Sequence, residues 1–292
     1  MRAVSGTSDR PDDIREGPTA DAMAPMVKML APLRQLIKPK FYGIEKVPPG
    51  GALLVGNHTL YGVLDVALLY AELFERGIVP RGLIDHAHFR VPGIRNLMTA
   101  SGGVAGTRPN TRELMRRGEL IVVFPGGGRE VTKRKGEQYQ LIWKNRLGFA
   151  KMAIESGYPI IPFACVGTEH GLDIVMDADS PLMAPARMLV KKLLGSSDTP
   201  PIVRGIGLTS IPRPERLYFW FGDPIPTDQY DGVADEANAR EVRSRAANAI
   251  ESAIKFLLDE RESDPGRSLI NRLRGKGGET ARVDRPTIEK PE

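Results

Sequence analysis

Ala52-Leu53-Leu54-Val55-Gly56-Asn57-His58-Thr59-Leu60-Tyr61-Gly62-Val63-Leu64-Asp65 places a short apolar run, Ala52–Val55, directly before a polar cluster that passes into a helical pattern. The run reads as a strand and Leu64–Glu75 as the helix after it. The same alternation recurs along the chain. Further apolar runs are Gly82–Ile84, Leu120–Phe124, Ile160–Val166 and Leu217–Phe221, and further helical segments are Gly93–Ala100, Arg112–Arg117, Ile142–Ser156 and Glu236–Leu258. Strands alternating with helices predict an α/β fold, a mostly parallel central sheet flanked by helices. In such sheets ligands bind where strands end, so Asn57 and His58 are candidate site residues. Asp65 falls in the first turn of the following helix. A carboxylate within reach of an imidazole holds one tautomer and leaves the other nitrogen to take a proton. The plain alternatives are a structural histidine and an aspartate favoured near a helix N-terminus.

The chain has 292 residues, 41% hydrophobic and 26% charged, enough for one α/β core and too apolar for wholesale disorder. A single domain is expected over residues 20–260. Residues 1–19 are expected to form a disordered leader and 261–292 a disordered tail, with Asp264-Pro265-Gly266 and Gly275-Lys276-Gly277-Gly278 as breakers. Cys165 is the single cysteine, set in an apolar run, and reads as a packed strand residue. A net charge of +5 favours anionic partners without choosing among them. The basic runs lack interleaved aromatics, so no nucleic-acid partner is predicted. No signal peptide and no transmembrane helix are expected, which points to a peripheral protein on the cytoplasmic side of a membrane. Two basic amphipathic stretches could lie in a membrane interface: one within 20–40, interrupted by Pro32, and one over 182–194. The alternative for each is a surface helix packed on the core.

Phe124-Pro125-Gly126-Gly127-Gly128-Arg129-Glu130 ends a second apolar run. Three glycines allow close backbone approach and expose N–H groups, and Arg129 adds a forked cation; together they suit an oxyanion or a phosphate. No Gly-Lys-Ser/Thr follows, so this is not a Walker loop. Gly102–Arg108 is glycine-rich without a full dinucleotide fingerprint. Asp85-His86-Ala87-His88 raises a metallohydrolase reading, but neither an H-E-x-x-H motif nor a downstream Asp-His accompanies it, and no metal site is predicted.

The ordered blocks Asn57-His58…Asp65, Gly103…Arg108, Phe124–Glu130 and Tyr158…Pro162 resemble the glycerolipid (PlsC-type) acyltransferase superfamily. The form Pro-Gly-Gly-x-Arg-Glu resembles its diacylglycerol-acyltransferase-like, phytyl ester synthase-like branch, and the likeness covers roughly 25–260. The resemblance implies that His58 is a catalytic base with Asp65 as its partner. It places Asn57, Arg108, Gly126, Arg129 and Glu130 in substrate binding, and His86 along the substrate groove. The implied reaction moves a fatty acyl group from acyl-CoA, a co-substrate rather than a cofactor, to the hydroxyl of a lipid acceptor at a membrane surface. Gly126, Gly127 and Gly128 would hold the oxyanion, and Lys133-Arg134-Lys135 could meet coenzyme A phosphates or simply be solvated. Two departures stand out. Six residues separate His58 from Asp65 where the family has four, and Gly126 replaces the glutamate of the common Pro-Glu-Gly-Thr-Arg, with Glu130 as its possible substitute. The second departure points to a neutral acceptor, such as a mono- or diacylglycerol or a long-chain alcohol, over a lysophospholipid. The first is the sole support for a non-catalytic lipid-binding protein on the same fold.

Overall fold

Strands buried on both faces read as unbroken apolar runs, and the sheet here is built from them. The computed structural model describes residue 14 and residues 16–85, 92–194 and 198–275. In chain order the elements are α1 (Ala20–Ile37), β1 (Lys40–Tyr42), β2 (Leu53–Gly56), α2 (Leu64–Glu75), β3 (Pro80–Ile84), α3 (Pro92–Ala100), β4 (Val104–Ala105), α4 (Arg108–Arg116) and β5 (Leu120–Val123). After these come α5 (Gly127–Val131), α6 (Gly148–Glu155), β6 (Ile160–Val166), β7 (Asp173–Met176), α7 (Ala184–Leu194), β8 (Ile202–Arg204), β9 (Tyr218–Phe221), α8 (Glu236–Ser263) and α9 (Leu269–Leu273). Seven strands form the main sheet in the order β1-β9-β6-β2-β5-β3-β4, and β7 and β8 form a separate two-stranded ribbon. All neighbours in the main sheet are parallel except β6 and β9. This is the mostly parallel α/β architecture that the alternation predicts.

Side-chain alternation divides the core in two. Leu53 and Val55 of β2 face one side with Ile121, Ile160 and Ala164, where α4, α6 and α8 cover them. Ala52 and Leu54 face the other side with Val122, Ile161 and Cys165, beneath α1 and α2. Cys165 is buried and free, as its apolar run predicts. Strand β2 lies between β5 and β6, with Val55 opposite both Val123 and Pro162. The segments leaving β2 and β5 therefore emerge side by side.

Helix ends differ from the sequence expectation where side chains cap them. Helix α4 begins at Arg108 rather than 112, because Thr107 Oγ1 accepts from the Asn110 amide at 3.2 Å. Residues 142–147 are not helical; the Ile142 amide donates to Glu130 and Trp143 turns into the core, so α6 starts only at Gly148. Strands β1, β4 and β8 have three residues or fewer, too short for their periodicity to register, and β7 is not an apolar run because it is half exposed.

The expected tails need correction at their inner ends. Ile14 lies in the core, and Arg117 donates to its carbonyl at 3.2 Å. Helix α8 runs on to Ser263 and α9 follows, so ordered structure continues well past Arg261. The reason is a buried ionic knot. Asp264 accepts from Arg216 (3.0 Å), the Tyr218 hydroxyl (2.7 Å) and the Gly266 amide (2.8 Å), with Lys40 at 3.3 Å. Arg272 donates to the carbonyls of Leu36, Gly266 and Arg267. The Asp-Pro-Gly breaker is thus a tight anchored turn. Among the described residues, no helix is long and apolar enough to cross a membrane.

The side chains of Arg216 and Asp264 are each only 2% exposed. Removing one member of a buried pair leaves the other uncompensated, at a cost of about 3–5 kcal/mol. Asp264→Ala should lose stability of that order in urea unfolding; a loss under about 1 kcal/mol, the value of a surface pair, would mean that the knot does not anchor the C-terminal turn.

Candidate active site

The main chain leaves the sheet at Asn57. Its side-chain amide donates to the Cys165 carbonyl (2.9 Å) and accepts from the Cys165 amide (2.8 Å), so β6 stays paired beyond Gly56. Asn57 is fully buried with its amide committed to β6, which corrects its expected role in substrate binding. His58 is the first residue to project from the strand end.

The loop from His58 to Asp65 solves the six-residue spacing by coiling. Tyr61 and Gly62 are consecutive left-handed residues, φ +64° and +58°, and the Gly62 amide closes a turn onto the Thr59 carbonyl at 3.0 Å. The extra residues are taken up in this turn, and Asp65 returns beneath the histidine with Oδ2 3.3 Å from His58 Nδ1. Asp65 also accepts from the amides of Thr59 (3.1 Å) and Val66 (2.9 Å). Burial alone would raise its carboxyl pKa, but the hydrogen bond and charge of His58 and the two amides outweigh it and hold the group below the usual carboxylate range. An ionised Asp65 facing Nδ1 keeps the proton there and leaves Nε2 as the basic nitrogen. The imidazole is 15% exposed and stacks on Phe124 with centroids 3.9 Å apart. Its other side rests against the bare Cα of Gly62, where a Cβ would stand 2.1 Å from His58 Cε1.

The glycine block wraps this loop. A Cβ at Gly126 would meet Glu130 Oε2 at 2.2 Å, so the Glu130 carboxylate occupies the space that a side chain at 126 would need. Glu130 is wholly buried and accepts from the amides of His58 and Ile142, both at 3.2 Å. Burial raises its pKa against the opposing influence of Lys133 and these amides. Glu130 therefore holds the backbone of His58, which corrects its expected contact with substrate. The Gly127 amide donates to the Phe124 carbonyl at 3.0 Å, so it is turned back into the chain and is not an oxyanion donor. Gly128 is the second residue of the short helix α5, where first-turn amides lack helical acceptors. Arg129 binds Glu137 at 2.5 Å and the Thr132 carbonyl at 3.3 Å.

Arg108 is exposed in the first turn of α4, after the edge strand β4, and no hydrogen bond ties it to His58 among the described residues. His86, with His88 of the metallohydrolase reading, lies outside the described residues. The basic run is committed to the fold: Lys133 is buried against Glu169 (2.6 Å) and donates to the His58 carbonyl (3.2 Å), while Arg134 pairs with Asp179 (2.8 Å). Lys133 was legible only as one charge in a basic run, because its partner lies 36 residues away in sequence. Arg146, which has no role in the sequence reading, donates to the Pro125 carbonyl at 2.7 Å and comes close to Gly127, placing a cation on the glycine turn.

Comparison with known proteins shows the family. Residues 38–166 match the Acyltransferase family. Phytyl ester synthase 1, chloroplastic, of Arabidopsis thaliana is 30% identical over 85% of this chain, which spans 38% of that relative's length. The mouse "DGAT1/2-independent enzyme synthesizing storage lipids" is 30% identical over 77% of this chain and 61% of its own. The solved PlsC acyltransferase of Thermotoga maritima aligns over 79% of each chain, with 14% identity and a TM-score of 0.46. The chain belongs to the PlsC-type glycerolipid acyltransferase superfamily.

Gly62→Ala should push the imidazole from its seat and lower turnover by about 10²-fold, the usual cost of ångström-scale misplacement, with the fold retained by circular dichroism. Unchanged turnover would show that the Gly62 contact does not position His58. Because the Asp65 pKa is lowered from 3.8 in the folded state, its contribution to stability is present above that value and lost as pH falls through the lowered pKa. Urea unfolding of wild type and Asp65→Asn should differ most near neutrality and converge in acid; a gap that widens in acid would contradict an ionised Asp65.

Proposed function

We propose that this protein transfers a fatty acyl group from acyl-CoA to the hydroxyl of a lipid acceptor, with His58 as general base. The carrying observation is the contact of His58 Nδ1 with buried Asp65 at 3.3 Å, which leaves Nε2 to accept a proton at the carboxyl end of β2. In the reaction, Nε2 takes the acceptor's hydroxyl proton as its oxygen attacks the thioester carbonyl carbon. The resulting oxyanion collapses, the C–S bond breaks, and the imidazolium returns the proton to the departing thiolate. Such base catalysis contributes about 10²–10⁴-fold. In this reading Gly128, whose first-turn amide lacks a helical acceptor, supplies an amide to the oxyanion. With the His58–Asp65 contact formed, the altered spacing no longer favours a non-catalytic reading.

The acceptor is neutral in this reading. Arg129 already carries a carboxylate partner in Glu137, so its charge is balanced without a substrate phosphate. Relatives named as a phytyl ester synthase and as an enzyme synthesizing storage lipids support the same direction.

The test incubates wild type and His58→Ala with labelled palmitoyl-CoA and lysophosphatidate, monoacylglycerol, diacylglycerol or a fatty alcohol, and resolves the lipids by chromatography. A His58-dependent neutral ester is expected. An active His58→Ala protein sinks the mechanism, and a product formed with lysophosphatidate alone sinks the neutral acceptor.

A further inference from the structure

Three consecutive glycines read as a bare backbone suited to an anion, yet in the folded chain each one faces a charged side chain. A Cβ built on Gly126 would run into the carboxylate of Glu130, one on Gly127 would stand 2.9 Å from Arg146 Nη1, and one on Gly128 would stand 2.7 Å from Asp198 Oδ2 and 3.4 Å from Asp198 Cβ. Glu130 is engaged by the His58 and Ile142 amides. Arg146 donates to the Pro125 carbonyl, and Arg129 is paired with Glu137. Asp198 therefore adds a carboxylate at the residue whose amide the acyl-transfer reading gives to the oxyanion. Phe124 stacks on the imidazole and Glu130 holds the His58 amide, so the glycine block borders the place where an acceptor hydroxyl would meet Nε2.

The place of Asp198 follows from the chain after it. Thr199 is buried, the Tyr61 hydroxyl donates to the Pro201 carbonyl at 2.8 Å, and Val203 packs with Leu172 on Leu60. Leu60 and Tyr61 belong to the loop that carries His58, so residues 198–203 run from the glycine block to that loop and hold the half-buried Asp198 between them. A fixed negative charge there acts on substrates through their own charge. Near a protein surface, a like charge a few ångström away is disfavoured by about 10–10³-fold. The oxyanion forms on the acyl group whatever the acceptor, so any cost that Asp198 imposes on it is common to all acceptors. What differs between acceptors is the charge of the head. An alcohol hydroxyl is uncharged and can donate to a carboxylate, whereas a phosphomonoester brings about two negative charges at neutral pH.

We propose that Asp198 selects the acceptor: its carboxylate, held against Gly128, turns away phosphorylated acceptors and admits an uncharged, hydroxyl-bearing lipid. Its effect on turnover rests on the acyl-transfer reading, whereas exclusion of a phosphate stands on charge alone. The test uses the full chain in two arms. In equilibrium dialysis at low salt, labelled glycerol 3-phosphate serves as a soluble phosphomonoester head. Asp198→Asn, which keeps the shape and removes the charge, should bind it about tenfold or more tightly than wild type, and Asp198→Lys more tightly still. The gain should shrink in high salt as the charges are screened. In turnover, with lysophosphatidate and monoacylglycerol offered together, the ratio of their kcat/KM values should move toward lysophosphatidate by about tenfold or more in Asp198→Asn. Asp223→Asn, which removes an exposed carboxylate paired with Lys46, should move neither readout. The selecting role is overturned if wild type binds glycerol 3-phosphate as tightly as Asp198→Asn, if neither Asp198 variant binds it, if the kcat/KM ratio stays unchanged in both, or if Asp223→Asn matches them. A wild type that transfers no acyl group to any acceptor counts against acyl transfer, and the dialysis arm still decides whether Asp198 excludes the phosphate.

Discussion

The side-chain amide of Asn57 stands in for a peptide unit, and the active-site geometry depends on it. By bonding both the amide and the carbonyl of Cys165, it keeps β6 satisfied at the point where β2 gives out. The main chain can then leave the sheet at the next residue without exposing a buried ladder, a debt of about 1–3 kcal/mol for each orphaned group. That next residue is His58. Its own peptide groups are held by two buried ionisable side chains, the amide by Glu130 and the carbonyl by Lys133. Both come from the segment after β5, which the parallel pairing of β2 and β5 brings alongside.

Two buried carboxylates flank the histidine, and their surroundings drive them in opposite directions. Asp65 is kept acidic by His58 and two amides, whereas burial raises Glu130. Divergent environments separate roles. Asp65 faces the ring and sets its tautomer, and Glu130 faces the backbone and sets its position. The absence of a side chain at Gly126 is what makes room for Glu130. The Glu130 carboxylate reaches back over one helical turn, from the fourth residue of α5.

Two stretches with the same basic amphipathic pattern are covered to different extents. Helix α1 packs Met23, Met26, Val27, Leu33 and Ile37 inward and its arginine is neutralised by two glutamates of α2, while Met29 and Leu36 stay exposed. The 182–194 stretch follows a ribbon that has no layer outside it, so Leu182, Met188 and Leu189 remain in water. Periodicity defines an apolar stripe and is silent about what covers it.

Much of the fold was legible in the sequence because buried strands announce themselves. Ile160–Val166 and Leu64–Glu75 are found with their expected ends, and the strand-end placing of His58 followed from the apolar run before it. The order of the blocks also named the superfamily. The sequence could not settle whether Asp65 reaches His58, because that depends on two consecutive left-handed residues at Tyr61 and Gly62. Nor could it show that Asn57, Glu130 and Lys133 face inward, since a polar residue beside a glycine turn looks the same whether its partner is a substrate or a carbonyl from a distant strand. The order beyond Arg261 was hidden for the same reason. Asp-Pro-Gly reads as a break until Arg216, 48 residues earlier, is folded against it. Local pattern determined the elements and the chemistry they carry; the tertiary structure decided which polar groups are available to react, because only packing determines which of them already have partners.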